Sequence, residues 1–208
     1  MCPFCLEIKD NLNNPTKKNR IIKETNSFIV VPTIGAFIDN YLLIIPKKHI
    51  NCFKELNSIE FLELNDLTNW IKNINKIYFK SKTIIFEHGS FENNNTSGKS
   101  IVHAHLHILP FSKSLLKDII NNKEITINEI KNLSSLKYFT KDKTDYLYYE
   151  DINEKRYIIN HQELPSQFLR KVVANSLNIT TWNWREYPYF DKIDKTLRFY
   201  KEIKKENL

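Results

Sequence analysis

The chain has 208 residues, and 31 Lys+Arg against 24 Asp+Glu leave a formal net charge of +7. Hydrophobic residues make up 41% and charged residues 26%, which supports a sizeable core and excludes global disorder. Three glycines exclude collagen-like, propeller-like and Gly-loop-rich architectures, and no apolar run approaches the ~20 residues of a membrane span.

The N-terminus, MCPFCLEIKD, lacks the basic-then-apolar layout of a signal peptide. The expectation is a cytoplasmic protein with no membrane partner. Cys2, Cys5 and Cys52 are an odd, small set that argues against a disulfide framework. The basic balance has two readings. Lys, Asn and Ile are all abundant, as codon bias in an AT-rich genome would make them. The alternative is a preference for polyanionic ligands such as phosphates.

In chain order, the polar run NLNNPTKKNR within residues 1–20 reads as a loop after the Cys pair. Ser27 to Val31 reads as a strand, followed by a turn through Pro32, Thr33 and Gly35. Tyr41 to Pro46 is apolar on both faces and predicts a central strand. Ile59 to Tyr78 carries Phe61, Leu62, Leu64, Leu67, Trp70, Ile71, Ile74 and Ile77 at helical spacing, with Asn57 or Ser58 as N-cap. Thr83 to Phe86 and Ile101 to Leu109 predict two more strands, the second closed by Pro110. Residues 91–99, polar and Asn-rich, form the loop between them.

After Pro110 the composition shifts. Residues 112–143 predict short helices and a linker. Asp145 to Tyr149 and Arg156 to Ile159 predict a hairpin, and Pro165 to Ser176 and Phe190 to Lys204 two helices. The expected class is antiparallel α+β, because tight connections join strand, strand, helix, strand, strand. The expected division is a catalytic domain over residues 1–112 and an extension over residues 113–208.

The chemistry concentrates in His103-Ala-His105-Leu-His107-Ile-Leu-Pro110. Period two on a strand puts the three imidazoles on one face and Ala104, Leu106 and Ile108 on the other. A lone histidine is more often structural than catalytic. Three in strict alternation fill a core poorly, because each ring brings two nitrogens that need partners.

This run resembles the His-φ-His-φ-His-φ-φ motif of the histidine triad superfamily, φ being apolar. Asn40-Tyr-Leu-Leu-Ile-Ile-Pro-Lys-Lys-His49-Ile resembles that family's strand ending in Pro-x-x-His. Ser97-Gly98-Lys99-Ser100 resembles its Gly-x-Ser turn, and Cys2-Pro-Phe-Cys5 the C-x-x-C of zinc-containing members. Four features in family order span residues 2–110. The resemblance implies an antiparallel half-barrel with a long helix, often dimeric, acting on nucleotide phosphates. It implies that His105 is the nucleophile at an α-phosphorus, forming a nucleotidyl-histidine. It casts His107 and His103 as its catalytic neighbours, His107 contacting phosphate. Gly98 and Ser100 would offer backbone and hydroxyl donors to phosphate, and Lys99 either reaches a phosphate or is solvated. In the uridylyltransferase branch the last histidine is replaced by Gln, so His107 points toward hydrolase-type branches, with transfer and phosphorolysis open.

Two departures stand out. The loop between Gly89 and Gly98 is longer than in compact members. Where the family often has Asn, this strand reads Phe86-Glu87-His88-Gly89, so His88 either lines the nucleotide pocket or is an ordinary strand-end residue.

By resemblance, Cys2, Cys5, His49 and His103 make a structural zinc site of S₂N₂ type. The alternatives are two free cysteines at the N-terminus, or a catalytic zinc on His103, His105 and His107. Cys52 reads as a small buried hydrophobe. Trp182, Trp184 and Tyr187 beside Arg185 are a satellite core holding the C-terminal helix, a cover over the active site or a nucleic-acid stacking platform. The favoured function is a nucleotide hydrolase or nucleotidyltransferase acting on a dinucleoside polyphosphate, a nucleoside phosphoramidate or a related phosphoanhydride. The alternatives are a nucleic-acid-linked protein acting on RNA or DNA 5′ ends, with the basic extension as its arm, and a zinc-stabilised binding module without turnover.

Overall fold

The computed structural model describes residues 2–13, 19–89, 103–121, 125–139, 145–160 and 165–206. Its elements are α1 (Pro3–Asn13), β1 (Lys23–Glu24), β2 (Phe28–Pro32), β3 (Leu42–Pro46), α2 (Ser58–Tyr78), β4 (Lys82–Gly89), β5 (Leu106–Phe111), α3 (Leu116–Ile120), β6 (Thr126–Ile130), α4 (Leu136–Phe139), β7 (Tyr146–Glu150), β8 (Arg156–Asn160), α5 (Phe168–Ser176) and α6 (Phe190–Glu206). A 3₁₀ turn covers Phe53–Glu55. No helix among the described residues is long and apolar enough to cross a membrane.

The strands form one antiparallel sheet in the order β1-β2-β3-β5-β4-β7-β8-β6. This is the α+β class expected from the sequence. The sheet does not pause at residue 112. β7 pairs along β4 from Ile85↔Glu150 to Gly89↔Tyr146, so the extension occupies an edge that would otherwise be open to another strand.

Period-two alternation explains why β3 and β5 are apolar on both sides, since both faces of the sheet are covered. Leu42, Ile44, Leu106 and Ile108 point to the layer holding α2 and α6. Leu43 and Ile45 point to the opposite layer, where Phe4 and Ile8 of α1 dock. Farther along that second face, Phe86, Leu109, Leu147 and Tyr149 pack against Leu169, Val172 and Val173 of α5. Burying each such large side chain contributes about 1.5–3 kcal/mol.

α2 obeys its spacing. Phe61, Leu64, Leu67, Ile71 and Ile74 are buried, whereas Leu62 and Ile77 face solvent. Asn57 is the N-cap. It accepts from the Glu60 N–H at 3.0 Å, and its own N–H donates to Glu60 Oε2 at 2.7 Å.

Four local expectations need correction. The N-terminal segment is helical through Asn13. It starts with Pro at the first helical position, where no N–H is needed, and Phe4 and Ile8 stand one turn apart on its buried side. The histidine strand begins only at Leu106, because the Ala104 N–H donates to Ile50 O at 2.7 Å and not to a neighbouring strand. Pro110 does not close that strand but sits within it, opposite Thr83. Thr126–Ile130 is an edge strand on β8, within a stretch expected to hold helices and linker.

Glu87 is buried on β4. It accepts from the Phe53 N–H at 2.8 Å and the Tyr146 hydroxyl at 2.7 Å. Burial pushes its carboxyl up to about 8, against an ordinary 4.5. Between those values the folded state holds a proton that the unfolded chain has released, so stability falls as pH rises through the window. Urea midpoints should therefore fall between pH 5 and pH 8 in the wild type, and Glu87→Gln should flatten that slope. An equal slope in the variant would assign it to other groups.

Gly35 has φ +75°, and a Cβ there would stand 2.5 Å from Trp184 Cβ and 2.7 Å from its Cα. Left-handed strain and backbone collision act together at this turn. Gly35→Ala should cost about 2 kcal/mol or more, read as a fall of about 5 °C in Tm.

Candidate active site and metal centre

Antiparallel pairing of β3 with β5 sets Ile44 opposite Leu106. The chain leaving β3 therefore runs beside the chain entering β5, which brings Pro46 and His49 next to His103 and His105. Cys2 and Cys5 approach the same place from α1. Three residues apart on a helix, they share one side.

The ligand atoms of Cys2, Cys5, His49 and His103 all lie within 4.8 Å of one another. Cys2 Sγ is 3.3 Å from His103 Nδ1, Cys5 Sγ is 3.3 Å from His49 Nδ1, and Cys5 Sγ is 3.5 Å from His103 Nδ1. Tetrahedral zinc with ordinary Zn–S and Zn–N lengths has S···N edges of about 3.6 Å, so the donor set fits zinc closely. The outer contact fits as well. His103 Nε2–H donates to Pro46 O at 2.8 Å, which leaves Nδ1 as the lone-pair nitrogen facing the sulfurs. His105 and His107 belong to no such ligand group among the described residues, which argues against a three-histidine metal.

Both ring nitrogens of His103 are thus engaged, and what it offers His105 is its carbonyl. His105 Nδ1–H donates to His103 O at 2.8 Å. Nδ1 then carries the proton of a neutral ring, and Nε2 carries the free lone pair. Burial lowers the His105 pKa, outweighing the hydrogen bond to the His103 carbonyl, which raises it, and the Arg170 charge acts with burial. Phe4 of α1 stands edge-on to both His103 and His105, at 5.7 and 5.4 Å between centroids.

His107 is the only one of the three on β5. Leu43 flanks it on β3 and Phe86 on β4. Its ring stacks on Phe86 at 4.6 Å and meets His105 at 5.0 Å. Burial holds its pKa well below the ordinary value, helped by His105 and Arg170. Its Nδ1 is 2.9 Å from the Tyr41 hydroxyl. The site lies between the α1 layer and the α5 layer of the same sheet face.

His88 follows Phe86 at the period-two position of β4, on the side of His107, and is partly buried. Gly98, Lys99 and Ser100 lie outside the described residues. Cys52 is fully buried in the core, its thiol pushed up to about 12 by burial. Trp182 packs into the α5 layer under Lys171, and Trp184 lies over the Gly35 turn with Arg185 on its ring at 4.6 Å. Trp182 thus joins the core of the α5 layer, whereas Tyr187 is exposed and stacks on Tyr189.

Two residues were missed from the sequence. Tyr41 reads from the sequence only as part of a strand, although a phenol inside an aliphatic run is a polar group in need of a partner. Arg170 ends the segment Leu164-Pro-Ser-Gln-Phe-Leu-Arg170, which faintly resembles C-terminal extensions of larger members but carries no role by itself, because its approach to the site depends on how α5 packs.

The family model described as "Protein similar to CwfJ C-terminal" matches residues 1–124. The chain belongs to this family of the histidine triad superfamily. The match takes in α1, the cysteine pair, the triad and the strands that carry them. In this CwfJ C-terminal-like chain the residues after 124, Arg170 among them, lie beyond the matched region. Similar solved structures include a hypothetical protein from Leishmania major, 21% identical, covering 54% of this chain and 74% of that one, with a TM-score of 0.42. A hypothetical histidine triad nucleotide-binding protein from Sulfolobus tokodaii is 21% identical over 54% of this chain and 70% of its own, with a TM-score of 0.41. A zinc-bound histidine triad family protein from Mycobacterium smegmatis is 18% identical over 52% and 73%, also at 0.41. A search of curated proteins gave no match.

Proposed function

We propose that the chain is a nucleotide hydrolase or nucleotidyltransferase that works through a nucleotidyl-His105 intermediate. The observation that carries this is the 2.8 Å hydrogen bond from His105 Nδ1 to His103 O, which leaves Nε2 as the attacking atom. A bond forms from Nε2 to the α-phosphorus as the bond from phosphorus to the leaving group breaks. The leaving group departs with the bonding electron pair and takes up a proton. Water or another acceptor then attacks the same phosphorus and frees the imidazole. His107 contacts the phosphoryl oxygens, and Gly98, Lys99 and Ser100 complete the phosphate cradle. His88 lines the pocket from β4. The substrate is a dinucleoside polyphosphate, a nucleoside phosphoramidate or a related phosphoanhydride.

Zinc held by Cys2, Cys5, His49 and His103 would cross-link α1 to the ends of β3 and β5. It supplies a fixed fold there and no chemistry on the substrate. Its value to the reaction is the fixed position of the His103 carbonyl.

The test is product analysis by ³¹P NMR with dinucleoside polyphosphates and adenosine phosphoramidate. The expected result is release of nucleoside monophosphate. Turnover confined to RNA or DNA 5′ ends, with log affinity falling steeply against log salt, would transfer the reading to nucleic acid. The internal contacts of Trp182 and Trp184 argue against a stacking platform there.

A further inference from the structure

We propose that Arg170 and Tyr41 are positioning residues that hold His107 in a single tautomer, Nδ1 accepting and Nε2–H presented as a donor. The inference rests on the proposed nucleotidyl chemistry for what that donor does, but not for the tautomer itself.

The argument is a count of protons. Tyr41 is fully buried, and its hydroxyl has one hydrogen to give. Two groups face it. One is His107 Nδ1 at 2.9 Å. The other is the Arg170 guanidinium, whose carbon lies 5.2 Å from the Tyr41 ring centre and whose positive charge acts on the phenol. A guanidinium has five N–H groups and no acceptor, so Arg170 faces the phenol as a cation and cannot take its hydrogen. The single phenol hydrogen is then left for Nδ1. A neutral imidazole that accepts at Nδ1 carries its proton on Nε2. Burial raises the phenol pKa to about 12, which keeps that hydrogen in place.

Arg170 is itself pinned. Its Nη2 donates to Gly35 O at 2.6 Å and Trp182 O at 3.0 Å, and its guanidinium carbon lies 5.3 Å from the Phe37 ring centre and 5.2 Å from that of Tyr41. The residue is 4% exposed, and no carboxylate pairs with it among the described residues. A buried cation without a counter-ion is costly, and a neutral side chain of similar size would fill the space at lower cost. The charge is therefore placed for an effect on its neighbours, and its polar neighbour toward the triad is Tyr41.

The consequence is a division of labour on adjacent histidines. His105 is held with its proton on Nδ1 by the His103 carbonyl, so its Nε2 is a nucleophile. His107 is held with its proton on Nε2 by Tyr41, so its Nε2 is a hydrogen-bond donor to a phosphoryl oxygen or the departing group. The opposite tautomers come from an acceptor behind one ring and a donor behind the other. It follows that the extension, through α5, completes the site borne by residues 1–124.

The experiment is ¹⁵N NMR of the histidine side chains at pH 8 in the full chain, as wild type, Tyr41→Phe, Arg170→Met and Arg170→Lys. The wild type should show His107 protonated at Nε2 alone. Tyr41→Phe and Arg170→Met should give mixed tautomers, and Arg170→Lys, still a donor, should restore the wild-type pattern. In turnover, Tyr41→Phe should lower kcat about ten- to a hundredfold with KM within about twofold. A His107 proton on Nδ1 in the wild type, or an unchanged tautomer in Tyr41→Phe, would overturn the inference. So would an Arg170→Met protein that loses thermal stability but keeps a single tautomer. The NMR result needs no substrate, so it stands or falls apart from the nucleotidyl reading.

Discussion

His105→Ala is expected to reduce release of nucleoside monophosphate by at least about 10³-fold, because it removes the atom that forms the covalent bond and no neighbour can replace it. His103 has both ring nitrogens engaged, and His107, with Nδ1 facing the Tyr41 hydroxyl, is assigned a proton on Nε2 and so no lone pair there. Only His105 combines a proton-fixing acceptor at Nδ1 with an uncommitted Nε2. The substitution should leave folding nearly untouched. The lost contacts are one hydrogen bond to a carbonyl and edge-on approaches to Phe4 and His107, so Tm should move by less than about 3 °C. Steady-state assays and a thermal melt on one preparation check both halves. Full activity in His105→Ala would remove the nucleophile from this site.

Removal of zinc should give the second large effect. The four candidate ligands lie at the start of α1 and just before it, in the chain after β3 and in the chain before β5, so one ion would close three separate segments. Without it the two thiols and the two imidazoles have only weak contacts with each other. α1 would then rely on Phe4 and Ile8, together with the Arg20–Glu7 ion pair. Metal binding to a structural site is folding free energy. Chelation, or Cys5→Ser, should lower Tm by about 10 °C or more and take the zinc content from one equivalent per chain to near zero. It should also lower kcat, since the carbonyl that orients His105 belongs to a zinc ligand. Metal analysis with calorimetry tests this. A purified chain with no bound zinc and an unchanged melt in chelator would contradict it.

What the sequence made legible follows from what acts locally. α2 is legible because five buried residues at helical spacing and an Asn–Glu capping box are all local. β3 and the β7–β8 hairpin are legible because long apolar or alternating runs bounded by turn residues have few other uses. α1 was hidden because Phe4 and Ile8 are its buried apolar side chains among those described, while Leu6 is exposed, so no full apolar stripe marks the helix. β6 was hidden for the same reason, since as an edge strand it buries only Ile130 fully. The triad itself was legible as a motif, but its geometry was not. Period two placed all three rings on one strand face. In the fold, His103 turns both nitrogens away, to two sulfurs and a carbonyl, and the strand starts after His105. The role of Arg170 could not be assigned from sequence. Its partners, Gly35, Tyr41 and Trp182, lie from 12 to 135 positions away, and only the packed α5 brings them together.

The most direct test of the account is intact mass spectrometry, without acid, of the chain mixed with dinucleoside polyphosphates and adenosine phosphoramidate. The wild type, His107→Ala and His105→Ala would run side by side. The expected result is a mass gain of one nucleoside monophosphate unit on the wild type or on His107→Ala, and none on His105→Ala. The same adduct on His105→Ala, or turnover with no adduct on any of the three, would contradict a nucleotidyl-His105 intermediate.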